Sequence, residues 1–284
     1  MNFRQLIPQK LKSGIKSFVV NTVSHDEKSL ESDSKIKDLE IRIAQLEVCL
    51  HLYSGLRIPP PKHLQVRIVG GYFVDFFAGG FRNVDEFNKS LNKTGKTIAD
   101  MKDVLDFGCG CGRVFLAMKK RYPHLNISGS EIDEEAVQYC RSEYSDVGDF
   151  QVNPPKAPSV FASNSFDFVY GISVFTHLPE DLQFGWLEDL QRITRPGAYL
   201  LLTVENKKTE VILNAEQKIE FENKGFYFFQ GWLTDGLPDF YRTTLHSHDY
   251  VRKEWGRYFE VIDIIPKAIG NHQDAIIVRN NKPA

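Results

Sequence analysis

The residues best suited to chemistry stand between Asp106 and Gly112, in the run DFGCGCG. An acid closes the short apolar run Val104-Leu105, and glycines follow at alternate positions: Gly108, Gly110 and Gly112. A tight turn of this composition brings bare backbone amides close to a ligand, because glycine has no Cβ to block the approach and adopts positive φ cheaply. The bare Cα of Gly110 marks where the ligand comes in. A dinucleotide fingerprint needs G-x-G-x-x-G, and here Arg113 stands where its third glycine belongs. An acid just before the turn also repels a pyrophosphate, whereas it suits a ligand carrying an amine.

A second acid, Glu131, lies about 20 residues further on, where a carboxylate can accept both hydroxyls of a ribose. That feature fits any ribose-bearing cofactor, NAD included. Asp133 reads as the N-cap of the next helix. His177, in Thr176-His177-Leu178-Pro179, is the first candidate for a base that takes a proton from an acceptor; the same residues read as a helix-entry turn in which the histidine only bonds backbone. His246 and His248 come next, in a segment placed to reach over a pocket. Asp274 is explained as well by ordinary capping. Cys109 and Cys111 form a C-x-C pair with no second pair and no nearby histidine, so they read as small loop residues. No grouping has metal-ligand spacing, and no metal is expected.

Elements that position these residues follow from the hydrophobic pattern. Val104–Phe107 reads as strand one, followed by a helix at Val114–Tyr122. Asn126–Ile132 is strand two, Glu134–Tyr144 a helix, and Phe150–Val152 a short strand three before a proline-rich loop. Phe166–Gly171 is strand four, with a helix over 180–193; Pro196-Gly197 then turns into strand five at Tyr199–Val204. This alternation predicts a parallel, doubly wound α/β sheet. Later, Ile212–Asn223 reads as helix, Tyr241–Leu245 as a strand and Tyr250–Trp255 as helix. Phe259–Ile265 and Ala275–Arg279 read as two strands that close the sheet.

Upstream, residues 64–100 read as two or three short helices, with Gly70-Gly71 and Gly79-Gly80 as breaks. Residues 1–20 form a basic amphipathic pattern that suits either a membrane interface or a docked terminal helix. Ile36, Leu39, Ile43, Leu46, Leu50 and Tyr53 make a heptad seam that could pair two chains or pack one helix on the body. With 284 residues, 42% hydrophobic, 25% charged and net charge −2, the composition is that of an ordinary globular protein and points away from nucleic acid. Four scattered cysteines and no apolar span predict a cytoplasmic protein, with peripheral contact at the inner face of the membrane as the second possibility.

These motifs resemble the class I S-adenosylmethionine-dependent methyltransferases over residues 102–280. The resemblance implies a Rossmann-like, mostly parallel seven-stranded sheet with helices on both faces, preceded by an N-terminal helical extension (1–58). The methyltransferase domain would then span 59–284, with cap helices at 59–100 covering the cofactor. In this likeness Asp106, Gly108, Cys109, Gly110 and Gly112 pack against the methionine part of the cofactor, and Glu131 and Ile132 hold the ribose end. Asn153 falls where many members contact adenine, although aspartate is commoner there. Gly171, Ile172 and Ser173 lie under the cofactor. Leu187, Leu190, Arg192, Pro196 and Gly197 fit the family's helix, turn and fifth strand.

The stretches GCGCGRV, NPPKAP, SVFTHLPED and HSHDYVRKEW, with the late Gln273-Asp274, are similar to a narrower bacterial group that accompanies surface-glycan biosynthesis. They imply O-methylation of a sugar or another small polar acceptor, with His177 or His246 as the base. A non-catalytic scaffold on the same fold is the alternative, and an NAD-linked oxidoreductase a more distant one.

Overall fold

The computed structural model describes residues 59–70, 76–206, 213–229 and 238–283. The chain divides into two units, residues 1–56 and 57–284. The basic pattern at 1–20 and the heptads at 36–53 therefore lie outside the described residues.

The second unit opens with helices α1 (Lys62–Val69) and α2 (Phe76–Leu91). Strand β1 (Asp103–Phe107), helix α3 (Arg113–Arg121), β2 (Asn126–Glu131), α4 (Glu134–Tyr144) and β3 (Asp149–Val152) follow. Next come β4 (Phe166–Gly171), α5 (Glu180–Ile193), β5 (Thr194–Val204) and α6 (Ala215–Lys224). β6 (Phe226–Phe229), β7 (Thr243–His246), α7 (His248–Glu254), β8 (Glu260–Ile269) and β9 (Gln273–Arg279) complete the order.

Seven strands form one sheet in the order β3-β2-β1-β4-β5-β9-β8. The first five are parallel, and β9 runs antiparallel to both β5 and β8. This is the doubly wound sheet that the alternation predicts. β6 and β7 pair separately as a two-stranded ribbon, so the Tyr241–Leu245 strand exists but does not join the main sheet.

Helices cover both faces because successive strand residues point to opposite sides. Val169 packs with Trp186, Leu187 and Leu190 of α5 and with Trp255. Its neighbour Tyr170 faces the other way, where Phe87 of α2 meets it with ring centroids 5.2 Å apart. Central strands buried on both faces must be apolar throughout, and Val104, Leu105, Phe168, Val169, Leu200, Leu201 and Leu202 are all inaccessible.

Two glycine-based expectations change. Gly79-Gly80 does not break a helix; it lies inside α2. A Cβ on Gly80 would stand 2.1 Å from the Arg113 carbonyl oxygen, so the pair exists to let α2 press against α3. Pro196-Gly197 likewise sits within β5 and does not precede it. It makes an irregularity between the pairings Phe166↔Thr194 and Phe168↔Tyr199, with Gly197 at φ +81° donating its N–H to the Asn280 carbonyl at 2.7 Å.

Candidate functional site

Strand β1 lies between β2 and β4, so the chain winds outward in opposite directions from this centre. The carboxyl edge at this point of reversal is the usual ligand site of such sheets. That edge gathers the glycine loop, the end of β2, Asn153 after β3 and the turn after β4. Every residue assigned to the cofactor from sequence lies along it.

The glycine loop is held by its own packing. Gly108, Gly110 and Gly112 have φ of +79°, +51° and +77°. The space a side chain would take is filled at each: by Val174 at Gly108, by Ile68 of α1 at Gly110 (2.4 Å from an ideal Cβ), and by Tyr144 at Gly112. The glycine at 110 thus admits the cap helix, a correction to its expected role as an open approach for ligand. The loop amides also differ from expectation. Gly108 and Cys109 donate to the Ser130 carbonyl, Gly110 to Glu131 and Gly112 to the Cys109 carbonyl. A phosphate-binding loop needs those N–H groups free for the anion; here they are spent within the protein.

Glu131 is 8% exposed and braces the edge. Its Oε2 accepts from the Gly110 amide at 2.9 Å, and its Oε1 from the amides of Ile132 (2.7 Å) and Asp133 (3.1 Å). Burial raises its pKa, and the three N–H bonds work against that rise. Each carboxylate oxygen has more than one lone-pair direction, so ribose hydroxyls can still be received. Asp133 caps α4 by accepting from the amides of Glu135 and Ala136, as the sequence suggests.

Arg67 of α1 binds both Asp133 Oδ2 and Glu135 Oε2 at 2.8 Å, and His63 meets Glu135 Oε1 at 2.8 Å. These contacts fasten the cap helix to the ribose end. Ile132 is half-buried and offers an apolar surface there. Asn153 is buried; its Nδ2 donates to Ser130 Oγ at 3.1 Å, while Oδ1 has no partner. A buried orphan acceptor is costly, and an exocyclic amine such as that of adenine would satisfy it.

Asp106 is enclosed beneath the loop, 3% exposed, and its Oδ2 also lacks a hydrogen-bond partner. Burial pushes its pKa up to about 8; the Tyr170 hydroxyl beside it and the positive charge of Arg113 pull the other way, while Glu131 adds to the rise. Because the native pKa lies above the unfolded value, the group stabilises the fold at low pH, and that contribution is lost as pH rises through about 8.

A ligand bringing positive charge over this loop favours the carboxylate and draws the pKa back down. Binding of S-adenosylmethionine, the cofactor that the sequence resemblance implies, should therefore release a proton. Calorimetry at about pH 7 in buffers of different ionisation enthalpy should read close to one proton released, and none in Asp106→Asn. Buffer-independent heats in the wild-type protein would refute the assignment.

Beyond β4, Gly171 is buried where a Cβ would stand 3.1 Å from the Phe107 carbonyl oxygen, so β1 and β4 close up under the site. Ser173 adopts a left-handed φ of +58°. His177 stacks on Tyr241 with centroids 4.1 Å apart, and its Nδ1 lies 2.6 Å from the Arg242 carbonyl oxygen. A carbonyl can only accept, so Nδ1 carries the hydrogen and the ring's lone pair rests on Nε2.

His246, the other histidine assigned to catalysis, is fully buried. It bonds Gln183 Oε1 through Nε2 at 2.8 Å, and burial lowers its pKa to about 3. Gln183 in turn donates to the carbonyls of Phe175 and Leu178. The structure thus places His246 in the core, where it braces the turn after β4 and meets no acceptor. His248 remains at the surface of the edge, with Nε2 2.7 Å from Asp274 Oδ2. Asp274 also receives the Lys267 amide at 2.8 Å, which extends the capping role expected of it.

Cys109, Cys111 and Cys140 are free and buried. The Cys109 thiol is turned down against β2, where a Cβ on Gly129 would stand 2.9 Å from its sulfur, so this residue meets a ligand through neither thiol nor amide. The neighbouring Cys140 thiol and burial push the Cys109 thiol up. No cluster of three or more metal-ligating side chains occurs among the described residues. Sequence reasoning missed Ser130, Arg67, Ile68, Tyr241, Thr203 and Gln273, all brought to the edge from distant segments. Among them only Gln273 belongs to a stretch marked by family likeness.

Residues 104–197 match the family model described as a methyltransferase domain. An uncharacterized protein of Mycoplasma pneumoniae is 44% identical over 39 residues, which is 14% of this chain; the chain spans only 9% of that relative's length. A S-adenosylmethionine-dependent methyltransferase from Clostridium acetobutylicum superposes with a TM-score of 0.50 at 9% identity, covering 71% of this chain and 92% of the other. A methyltransferase of the same dependence from Methanosarcina mazei gives 0.46 at 19% identity, covering 62% and 91%. The Clostridium likeness bears on the fold alone. A loop whose amides are closed to phosphate accords with the family match, and residues 104–197 are similar to a methyltransferase domain set in a seven-stranded, Rossmann-like sheet.

Proposed function

We propose that the chain methylates a hydroxyl oxygen of a sugar or another small polar acceptor in glycan biosynthesis. When bound, S-adenosylmethionine supplies a methyl group on a sulfonium that is open to in-line displacement. The protein's part is to hold donor and acceptor in line, exclude water and take the acceptor's proton. The observation that carries the reading is the placement of His177: it follows β4 at the carboxyl edge, and its ring is oriented by the Nδ1 bond to the Arg242 carbonyl and by stacking on Tyr241. Tyr241, stacked on it, adds an aromatic flank suited to the C–H face of a sugar ring. Cytoplasmic placement belongs to the same proposal. On the non-catalytic scaffold alternative the cofactor would bind without turnover.

The test is transfer of labelled methyl from S-adenosylmethionine to a panel of reducing sugars and oligosaccharides, with amine-bearing analogues beside them. Label on oxygen is the expected result; label on nitrogen alone, or none on any acceptor, would overturn the proposal. With an accepted sugar, His177→Gln should lower kcat by about 10²–10⁴-fold and leave the affinity for S-adenosylhomocysteine within about twofold. Unchanged kcat would remove His177 from the chemistry.

A further inference from the structure

Three strands across the sheet from β1, whose end carries the glycine loop, the start of β9 returns to the same edge. Gln273 is 4% exposed, and its Nε2 donates to Ser173 Oγ at 2.5 Å, across 100 residues of chain. The Ser173 amide in turn donates to Oγ1 of Thr203 in β5, at 2.8 Å. Thr203 is fully buried, and its β-sheet partner is Ala275, two residues beyond Gln273. Ser173 is thus held on both sides, through its backbone from β5 and through its side chain from β9.

This support has a physical reason. At φ +58° Ser173 occupies a region that non-glycine residues seldom adopt, and such a conformation persists only where its surroundings over-determine it. The conformation aims the next residue. Val174 Cγ2 stands 2.3 Å from where a Cβ on Gly108 would be, so the turn after β4 lies directly against the first glycine of the loop. A change at Ser173 therefore passes to the turn and to the glycine loop. The remaining amide oxygen of Gln273, Oε1, is buried with no partner, so nothing in the protein competes for its orientation toward a ligand donor.

We propose that Gln273 is a positioning residue for the methyl donor: it fixes Ser173 in its left-handed conformation and thereby sets the turn after β4 against the glycine loop. The inference rests on reading this edge as the S-adenosylmethionine site. It gives the last, antiparallel strand a role in the cofactor site, although no part of that strand belongs to the glycine motif.

The test is a double-mutant cycle read by calorimetric titration with S-adenosylhomocysteine. Gln273→Met keeps length and removes the amide; it should weaken binding about tenfold. Glycine needs no support at positive φ, so the same change made on top of Ser173→Gly should add less than about twofold, whatever Ser173→Gly costs alone. Gln273→Leu, which also lacks any group able to bond Ser173 Oγ, gives the same reading if the methionine variant does not fold. A loss of similar size in both backgrounds would show that Gln273 acts by some other route, and affinity within twofold in Gln273→Met would overturn the inference outright. Wild-type protein that bound neither S-adenosylmethionine nor S-adenosylhomocysteine would instead sink the cofactor site itself.

Discussion

Replacing Gly110 with valine should weaken S-adenosylmethionine binding by about 100-fold or more while the sheet still folds. Two costs fall on the closed loop. A β-branched residue at φ +51° is strained by roughly 1–3 kcal/mol, and its Cβ would stand 2.4 Å from Ile68 Cγ2, an overpacking cost of roughly 1–3 kcal/mol. Relief comes by tilting the loop, which breaks the 2.9 Å bond from the Gly110 amide to Glu131, or by lifting α1, which strains the Arg67 contacts to Asp133 and Glu135. Either way the ribose end loses its shape. Circular dichroism would report the retained fold and calorimetry the lost binding. A valine variant that bound with wild-type affinity would show that the loop and α1 do not form the site.

Glu131→Ala should cost about 1–3 kcal/mol in affinity, or roughly 5- to 150-fold, for S-adenosylmethionine and S-adenosylhomocysteine alike. The two ligands share a ribose and differ only at the sulfur, so a loss confined to the ribose end must treat them equally. The upper part of the range is expected, because the same carboxylate also satisfies the amides of Gly110, Ile132 and Asp133. Glu131→Gln retains one acceptor oxygen and should lose less. Equal binding by the alanine variant would remove Glu131 from the site, and a loss for one ligand only would move it toward the sulfur.

Much of the architecture is legible in the residues themselves. β4 and α5 occupy the expected bounds because their apolar residues repeat with the period of the element and their ends carry acids, a proline or a glycine. Glycine is where local reading loses its grip. Gly79-Gly80 reads as a break, yet a glycine pair inside a helix is also what a close helix contact requires, and only the Arg113 carbonyl across the gap decides between them. The same holds for Pro196-Gly197, kept within β5 by a bond to Asn280. His177 and His246 look alike in sequence, but one is stacked at the edge and the other lies in the core, a difference made by Gln183 and Tyr241 from other elements.

By itself the sequence determines the strand–turn–helix order, the acid before the glycine loop and the acid that ends β2, because periodicity, positive φ and charge are properties of neighbouring residues. Tertiary structure alone decides which amides the loop has left to offer, which histidine meets solvent, and that Arg67, Thr203 and Gln273 stand at the same edge. Those depend on contacts between segments up to 100 residues apart, such as the bond from Gln273 to Ser173. Such contacts leave no periodic trace in the chain, since their cost and gain are set by the geometry of the sheet that brings them together.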